Sequence, residues 1–288
     1  MVLQPEQLMP LNQSTGVRSK PFLKWAGGKG RLLPELIARL PKSFAGYHEP
    51  HVGSGALFFE LASRGVLSQV YLSDSNPSLI DTYVAVRDQV EDVIAILKKH
   101  LKKHDQDYYY LVRALDPSRL TLAGRAARVI YLNRTCYNGL YRENKSGQFN
   151  VPFGRYENPT ICDGANLRNV SRALSEVDIA RRGYVSVIDW AKPGDFVYFD
   201  PPYHPLSATS SFTAYDRNGF TADDQRGLRD VFAELARRGV SVMLSNSDTP
   251  LIRELYAGFN IDRVYASRSI NSKGNRRGKI AELIVCSH

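Results

Sequence analysis

Residues 196–203 read FVYFDPPY. Phe196, Val197, Tyr198 and Phe199 run straight into Asp200, Pro201, Pro202 and Tyr203. No other stretch of the chain restricts the fold as much. The first four residues favour a strand, and neither proline can donate a ladder hydrogen bond, so the strand must stop there. A residue before proline is pushed toward extended geometry, which lets the Asp200 carboxylate project from the sheet edge. Open α/β sheets bind their ligands at the carboxyl ends of strands. An acceptor-only carboxylate, a free proline carbonyl and a flat ring therefore converge where chemistry is usually found. That set suits an exocyclic amine on a planar base, with two acceptors for its N–H groups and one stacking face. By itself the tetrapeptide also fits an ordinary Pro-Pro turn, so other segments must decide.

The 288 residues, 43% of them hydrophobic, suffice for one large domain or for one domain with an insertion. With 23% charged residues the chain is expected to be an ordinary soluble protein. It has no apolar run long enough to span a membrane, so no membrane partner is expected. Residues 1–19 are polar, lack the apolar core of a signal peptide and read as a flexible leader. Cys136, Cys162 and Cys286 are far apart, without metal-ligand or disulfide spacing, and the six histidines are scattered. No metal is expected, and a reducing cytoplasm is the expected location.

The net charge of +9 fits a polyanionic partner, although a merely basic enzyme would show it too. Arg125, Arg128, Arg134, Arg142 and Lys145 lie in one segment; Lys273, Arg276, Arg277 and Lys279 lie in another. Both segments read as loops or element ends able to touch phosphates.

Residues 46–64 read as a short strand, a turn at Gly53 and Gly55, and a helix with Ala56, Phe58, Phe59 and Ala62 on its apolar face. Residues 70–74 form a second strand ending in Asp74. This acid lies about twenty residues after the first glycine, where a nucleoside-binding α/β fold places its ribose-binding carboxylate. Asn76 and Pro77 make a helix cap and first position, and apolar residues recur at helical spacing from Leu79 to Leu101. Two further helices are expected near 106–115 and 118–132, then a Gly/Asn-rich hairpin over 133–154. Parallel-sheet signals resume at 184–189 and 196–200. Residues 77–182 thus read as an insertion of helices and a hairpin. After it come a helix at 222–238, a strand at 240–244, a helix at 249–257 and a strand at 280–286. Repeated βα units imply a parallel sheet with helices on both faces.

At these residues the chain resembles the Dam-type DNA adenine-N6 methyltransferases over nearly everything after the leader. Residues 22–29 (FLKWAGGK) are similar to that family's N-terminal cofactor motif, 49–55 (EPHVGSG) to its glycine loop, 133–156 to its recognition hairpin and 200–203 to its catalytic tetrapeptide. Residues 212–215, 245–249 and 268–270 also match. The resemblance implies a Rossmann-like S-adenosylmethionine-dependent methyltransferase sheet (residues 20–76 and 183–288), carrying an inserted helical and β-hairpin DNA-recognition domain (77–182). The implied activity is methylation of a flipped adenine in double-stranded DNA, within GATC, by an enzyme acting as a monomer and needing no metal. Asp200, Pro201 and Tyr203 take the catalytic positions. Trp25, Lys29, Gly53, Gly55, Asp74, Asp189 and Asp200 take cofactor positions, Lys29 pairing with the amino-acid carboxylate and Asp189, read as ending a strand, lying near the adenine. Arg134, Tyr137, Asn138, Leu140, Arg142, Pro152 and Tyr156 take DNA positions. Singly, Trp25 also reads as a core anchor, Lys29 as a surface charge at a helix start and Asp74 as a helix cap.

Two residues depart from the pattern. His51 replaces an aromatic or apolar residue. Glu157 replaces a basic one beside the hairpin, and an acid at a base edge prefers to accept from cytosine N4. Activity on RNA or on a protein glutamine, a decayed non-enzymatic DNA binder, and a restriction-linked enzyme are the rival readings.

Overall fold

The computed structural model describes residues 18–144, 146–206, 220–267 and 279–288. Within them seven strands form one sheet: β1 (Gly46–Glu49), β2 (Gln69–Asp74), β3 (Asp178–Arg181), β4 (Phe196–Phe199), β5 (Ser241–Ser247), β6 (Asn260–Ser267) and β7 (Lys279–Cys286). Their spatial order is β3-β2-β1-β4-β5-β7-β6. The first five are mutually parallel, and β7 runs antiparallel to both β5 and β6. The sheet is therefore mixed, not all-parallel as expected.

Among the described residues ten helices surround it: α1 (Leu33–Ile37), α2 (Ala56–Arg64), α3 (Pro77–Asp88), α4 (Val90–Lys102), α5 (Gln106–Ala114), α6 (Leu122–Thr135), α7 (Gly164–Leu174), α8 (Val187–Trp190), α9 (Ala222–Arg237) and α10 (Pro250–Leu255). Side chains close to the backbone punctuate them. Asn76 accepts from the Leu79 N–H at the start of α3, with Pro77 behind it. Thr221 and Asp224 form a capping box on α9. The apolar run from Leu79 to Leu101 breaks at Gln89 into α3 and α4.

β4 shows how both faces are used. Successive side chains of a strand point to opposite faces. Phe196 and Tyr198 join a core with α2, α3, α4, α6 and α7, whereas Val197 and Phe199 join a second core under α8, α9 and α10. Burial from both sides makes all four residues apolar or aromatic. The first core is continuous with Leu79, Ile94, Tyr109, Ile130 and Leu167, so the inserted helices complete the packing of the sheet.

Three expectations change. Residues 184–189 hold no strand: a single 3-10 turn (Tyr184–Ser186) leads into α8, and the sheet resumes earlier, at β3. β6, which has no counterpart in the sequence reading, forms the outer edge. The hairpin over 133–154 is reduced to two isolated bridges, Cys136 with Phe153 and Glu143 with Phe149. The leader up to residue 17, Lys145, and residues 207–219 and 268–278, with the motifs placed there, lie outside the described residues. No helix among the described residues is long and apolar enough to cross a membrane.

Candidate active site

Asp200 emerges where β4 ends, and the neighbouring strand β5 holds the loop that follows. Ser245, Asn246 and Ser247 are buried although polar, and each has work on the loop. The Ser245 hydroxyl donates to Asp200 Oδ1 (3.1 Å) and also bonds Tyr198 Oη (2.9 Å). Asn246 Oδ1 accepts from the His204 N–H (3.1 Å), and its amide donates to Gln225 Oε1 (3.0 Å). Gln225 in turn donates to the Pro202 carbonyl (3.0 Å), and the Ser247 hydroxyl donates to the His204 carbonyl (2.5 Å). Pro201 and Pro202 have no N–H to donate, so much of the anchoring falls to side chains of β5 and α9. The sequence reading matched 245–249 to a motif but missed this task. Its signal is a polar triplet at the end of an apolar strand.

Lys29, which the resemblance places at the cofactor carboxylate, forms an ion pair with Asp200 Oδ1 at 2.6 Å, and its ammonium lies 4.5 Å from the centroid of the Tyr203 ring. Burial pushes the Asp200 carboxyl upward, and the Lys29 charge opposes this. Tyr203 donates its hydroxyl to Glu282 Oε2 on β7 (2.8 Å). Behind Asp200 stands Glu49, only 2% exposed at the end of β1, accepting from Tyr47 Oη at 2.8 Å. Burial drives its carboxyl up to about 8, and the charge of Asp200 adds to that effect. The sequence reading gave Glu49 no role.

The glycine turn joins the same cluster. Gly53 (φ +46°) donates to Asp74 Oδ2 (3.3 Å), and its carbonyl accepts from Tyr83 Oη (3.1 Å). A Cβ at Gly53 would lie 2.8 Å from Trp25 Cδ1, so only glycine lets the Trp25 ring lie against this turn. At Gly55 (φ +65°) a Cβ would lie 2.8 Å from Tyr83 Oη. Asp74 Oδ1 accepts from the Asn76 N–H (2.9 Å), and the Trp25 ring lies 5.1 Å from that of Tyr141. Trp25, Lys29, Gly53, Gly55, Asp74, Asp200 and Tyr203 thus lie on abutting loops at the carboxyl ends of β1, β2 and β4.

Asp189 does not end a strand. It sits exposed in α8, because the chain after β3 coils instead of extending. His51 sits among aromatic rings: its own ring stacks on Tyr184 (5.6 Å) and meets Phe199 and Phe220 edge-on. Burial lowers its pKa to about 4, so the imidazole is neutral near pH 7, with Nδ1 buried and unpartnered. Among the described residues no group of three metal-ligating side chains occurs.

The expected DNA residues divide. Tyr137, Asn138, Arg142 and Pro152 are exposed. They are paired across the loop, the Tyr137 N–H donating to the Pro152 carbonyl (2.8 Å) and Arg142 Nε to Asn150 Oδ1 (2.7 Å). Asn138 adopts a left-handed conformation (φ +57°) at this turn. Leu140 packs on the core, and Tyr156 is half-buried beneath the ammonium of Lys24, 4.6 Å from the ring centroid. Arg134 is largely withdrawn, donating to the Phe22 carbonyl (2.8 Å). Two expected phosphate contacts from the basic segment, Arg128 and Arg125, are corrected. Arg128 is buried and donates to the carbonyls of Val112 and Arg113, and Arg125 pairs with Asp81 at 2.9 Å. These guanidiniums tie helices together.

The buried amide of Asn133, also unassigned from sequence, joins the two halves of the site. It accepts from the Lys24 N–H (2.8 Å) and donates to the carbonyls of Lys24 (2.7 Å) and Gly139 (3.0 Å).

The family model described as D12 class N6 adenine-specific DNA methyltransferase matches residues 25–270. The chain is 42% identical over 286 residues to type II methyltransferase M1.LlaDCHI of Lactococcus lactis, covering 97% of this chain and 99% of that one. It is 42% identical to type II methyltransferase M.MjaIII of Methanocaldococcus jannaschii (93% and 99% covered). It is 36% identical over 275 residues to the DNA adenine methylase of Escherichia coli (93% and 95% covered).

Proposed function

Because the chain belongs to the D12 class of N6 adenine-specific DNA methyltransferases, we propose that it methylates adenine within GATC in duplex DNA, on a base turned out of the helix. The family implies S-adenosylmethionine as donor, which when bound supplies an electrophilic methyl on a sulfonium. The residues present fit such a ligand. Two left-handed glycines open a turn against Trp25, the turn leads to the Asp74 carboxylate, and Lys29 offers an ammonium.

A base inside the stack is out of reach of Asp200, so the target must be extruded. Tyr203 then gives it a face to stack on. Asp200 and the Pro201 carbonyl accept its two N6 hydrogens. The amine lone pair is delocalised into the ring, and acceptors that favour a pyramidal nitrogen free it for in-line attack. Charge disperses in the transition state, so positioning and preorganised acceptors carry the catalysis. Sequence readout belongs to the exposed segment. Arg142 has the fork that suits guanine O6 and N7, Leu140 and Pro152 suit a thymine methyl, and Tyr137 can fill the gap left by the base. Asn138 and Tyr156 flank them, and Arg134 contributes to affinity.

The observation that carries this reading is the half-buried Asp200, held at the end of β4 beside Tyr203 by the β5 polar triplet and Gln225. The test is transfer of labelled methyl to GATC duplexes, to each single-base variant and to RNA of the same sequence. Methylation of GATC adenine above all others supports the proposal; preference for another sequence or for RNA refutes it.

A further inference from the structure

Lys29 occupies the groups that a target base would need. Its ammonium has three hydrogens, and three partners surround it: Asp200 Oδ1 at 2.6 Å, the Gly27 carbonyl, and the face of Tyr203 at 4.5 Å. The side chain is 7% exposed, so water does not substitute for them. On the reading above, Asp200 is an acceptor for the adenine amine and Tyr203 is its stacking platform. An amine donor thus lies over the ring and against the carboxylate.

We propose that Lys29 is an internal stand-in for the target amine, and that the carboxylate of the methyl donor draws it away, so that donor and target base bind cooperatively. The proposal rests on the function proposed above. A buried ammonium leaves a carboxylate and a ring face only when another anion replaces them, because an unpaired buried charge is costly. The donor's amino-acid end carries such an anion, and the same loop holds Lys29 and Trp25. Once the ammonium turns to that carboxylate, Asp200 regains a lone pair and Tyr203 its face. A ligand with the adenosine and amine but no carboxylate has no means of drawing Lys29 off.

Coupling between two ligands is reciprocal and commonly five- to 150-fold, about tenfold being the expectation here. The test uses the whole chain, a GATC duplex with 2-aminopurine at the target position, S-adenosylhomocysteine, and its decarboxylated analogue. Fluorescence reports extrusion and calorimetry reports affinity. Saturating S-adenosylhomocysteine should raise duplex affinity and extrusion about tenfold, and the duplex should raise S-adenosylhomocysteine affinity equally. The decarboxylated analogue should give less than about a twofold effect. In Lys29→Met the two compounds should act alike. Equal coupling by both compounds in the natural protein, or none by either, overturns the proposal. Methylation of GATC duplex is measured in parallel. If it occurs without carboxylate-dependent coupling, only this proposal falls; if no adenine is methylated, the functional reading falls with it.

Discussion

Glu49→Gln should flatten the dependence of stability on pH across the neutral range. In the folded chain this carboxyl holds its proton up to about 8, against an ordinary value of 4.5, because it is buried and close to the Asp200 charge, which together outweigh the Tyr47 hydrogen bond. The unfolded chain releases the proton near the ordinary value, so in between the folded state binds one proton more. Stability from this group is therefore fully present below the unfolded value and is lost as pH rises toward the folded one. From about pH 6 to about pH 8 the loss amounts to about 2 kcal/mol by linkage. For a chain of this size that lowers the melting temperature by about 4 °C. Gln keeps an acceptor for Tyr47 and removes the titration. Thermal unfolding by circular dichroism at several pH values, in one buffer series, gives both curves. The natural protein should drop relative to the variant over this interval. Parallel curves would show that Glu49 is ionised throughout, and the argument from burial would be wrong.

Asp200→Ala should retain its circular dichroism spectrum and lose methyl transfer by about 10²-fold or more, the scale expected when one preorganised charged group is removed; near-normal turnover by the folded variant would exclude the acceptor role. Arg142→Ala should lose about 1–3 kcal/mol of discrimination at one guanine position, measured as relative methylation of GATC and its single-base variants; equal slowing at every sequence would make the segment a clamp and not a reader. Asn133→Ala should destabilise the protein by about 2 kcal/mol in urea unfolding, since it strands three backbone groups of Lys24 and Gly139 that are buried or part-buried; a change below about 0.5 kcal/mol would mean that water replaces the amide.

What could be read from the sequence follows from where the elements sit. β4 and its tetrapeptide were legible because two covered faces demand an uninterrupted apolar run and the prolines mark its end. Edge strands leave no such mark. β3 is exposed or half-buried along its length, and β6 carries Asp262 and Arg263 on the outermost strand, as unpaired edges often do. Residues 184–189 misled by composition. Val185 and Val187 share a face in any strand, yet Val185 is 55% exposed and Val187 only 6%, a pattern that coiling allows and alternation forbids. At the site, the residue types for glycine turn, acid and tetrapeptide were visible. The partnerships of Lys29 with Asp200 and of Asn133 with Lys24 join residues more than a hundred positions apart, and nothing local encodes them.

The placement of β7 has a consequence for how the molecule is made. β7 follows β6 in the chain but lies between β5 and β6 in the sheet, pairing with both. During synthesis, which proceeds from the N-terminus, β6 emerges with no neighbour to pair with, and the edge of β5 stays open. Tyr203 meanwhile waits for Glu282, which arrives only with β7. A nascent chain that already carries its glycine turn, its tetrapeptide and the segment over 133–156 is thus still unfinished at the loop that follows β4. It also presents an open strand edge to its neighbours on the polysome, a hazard that ends when β7 slides into place.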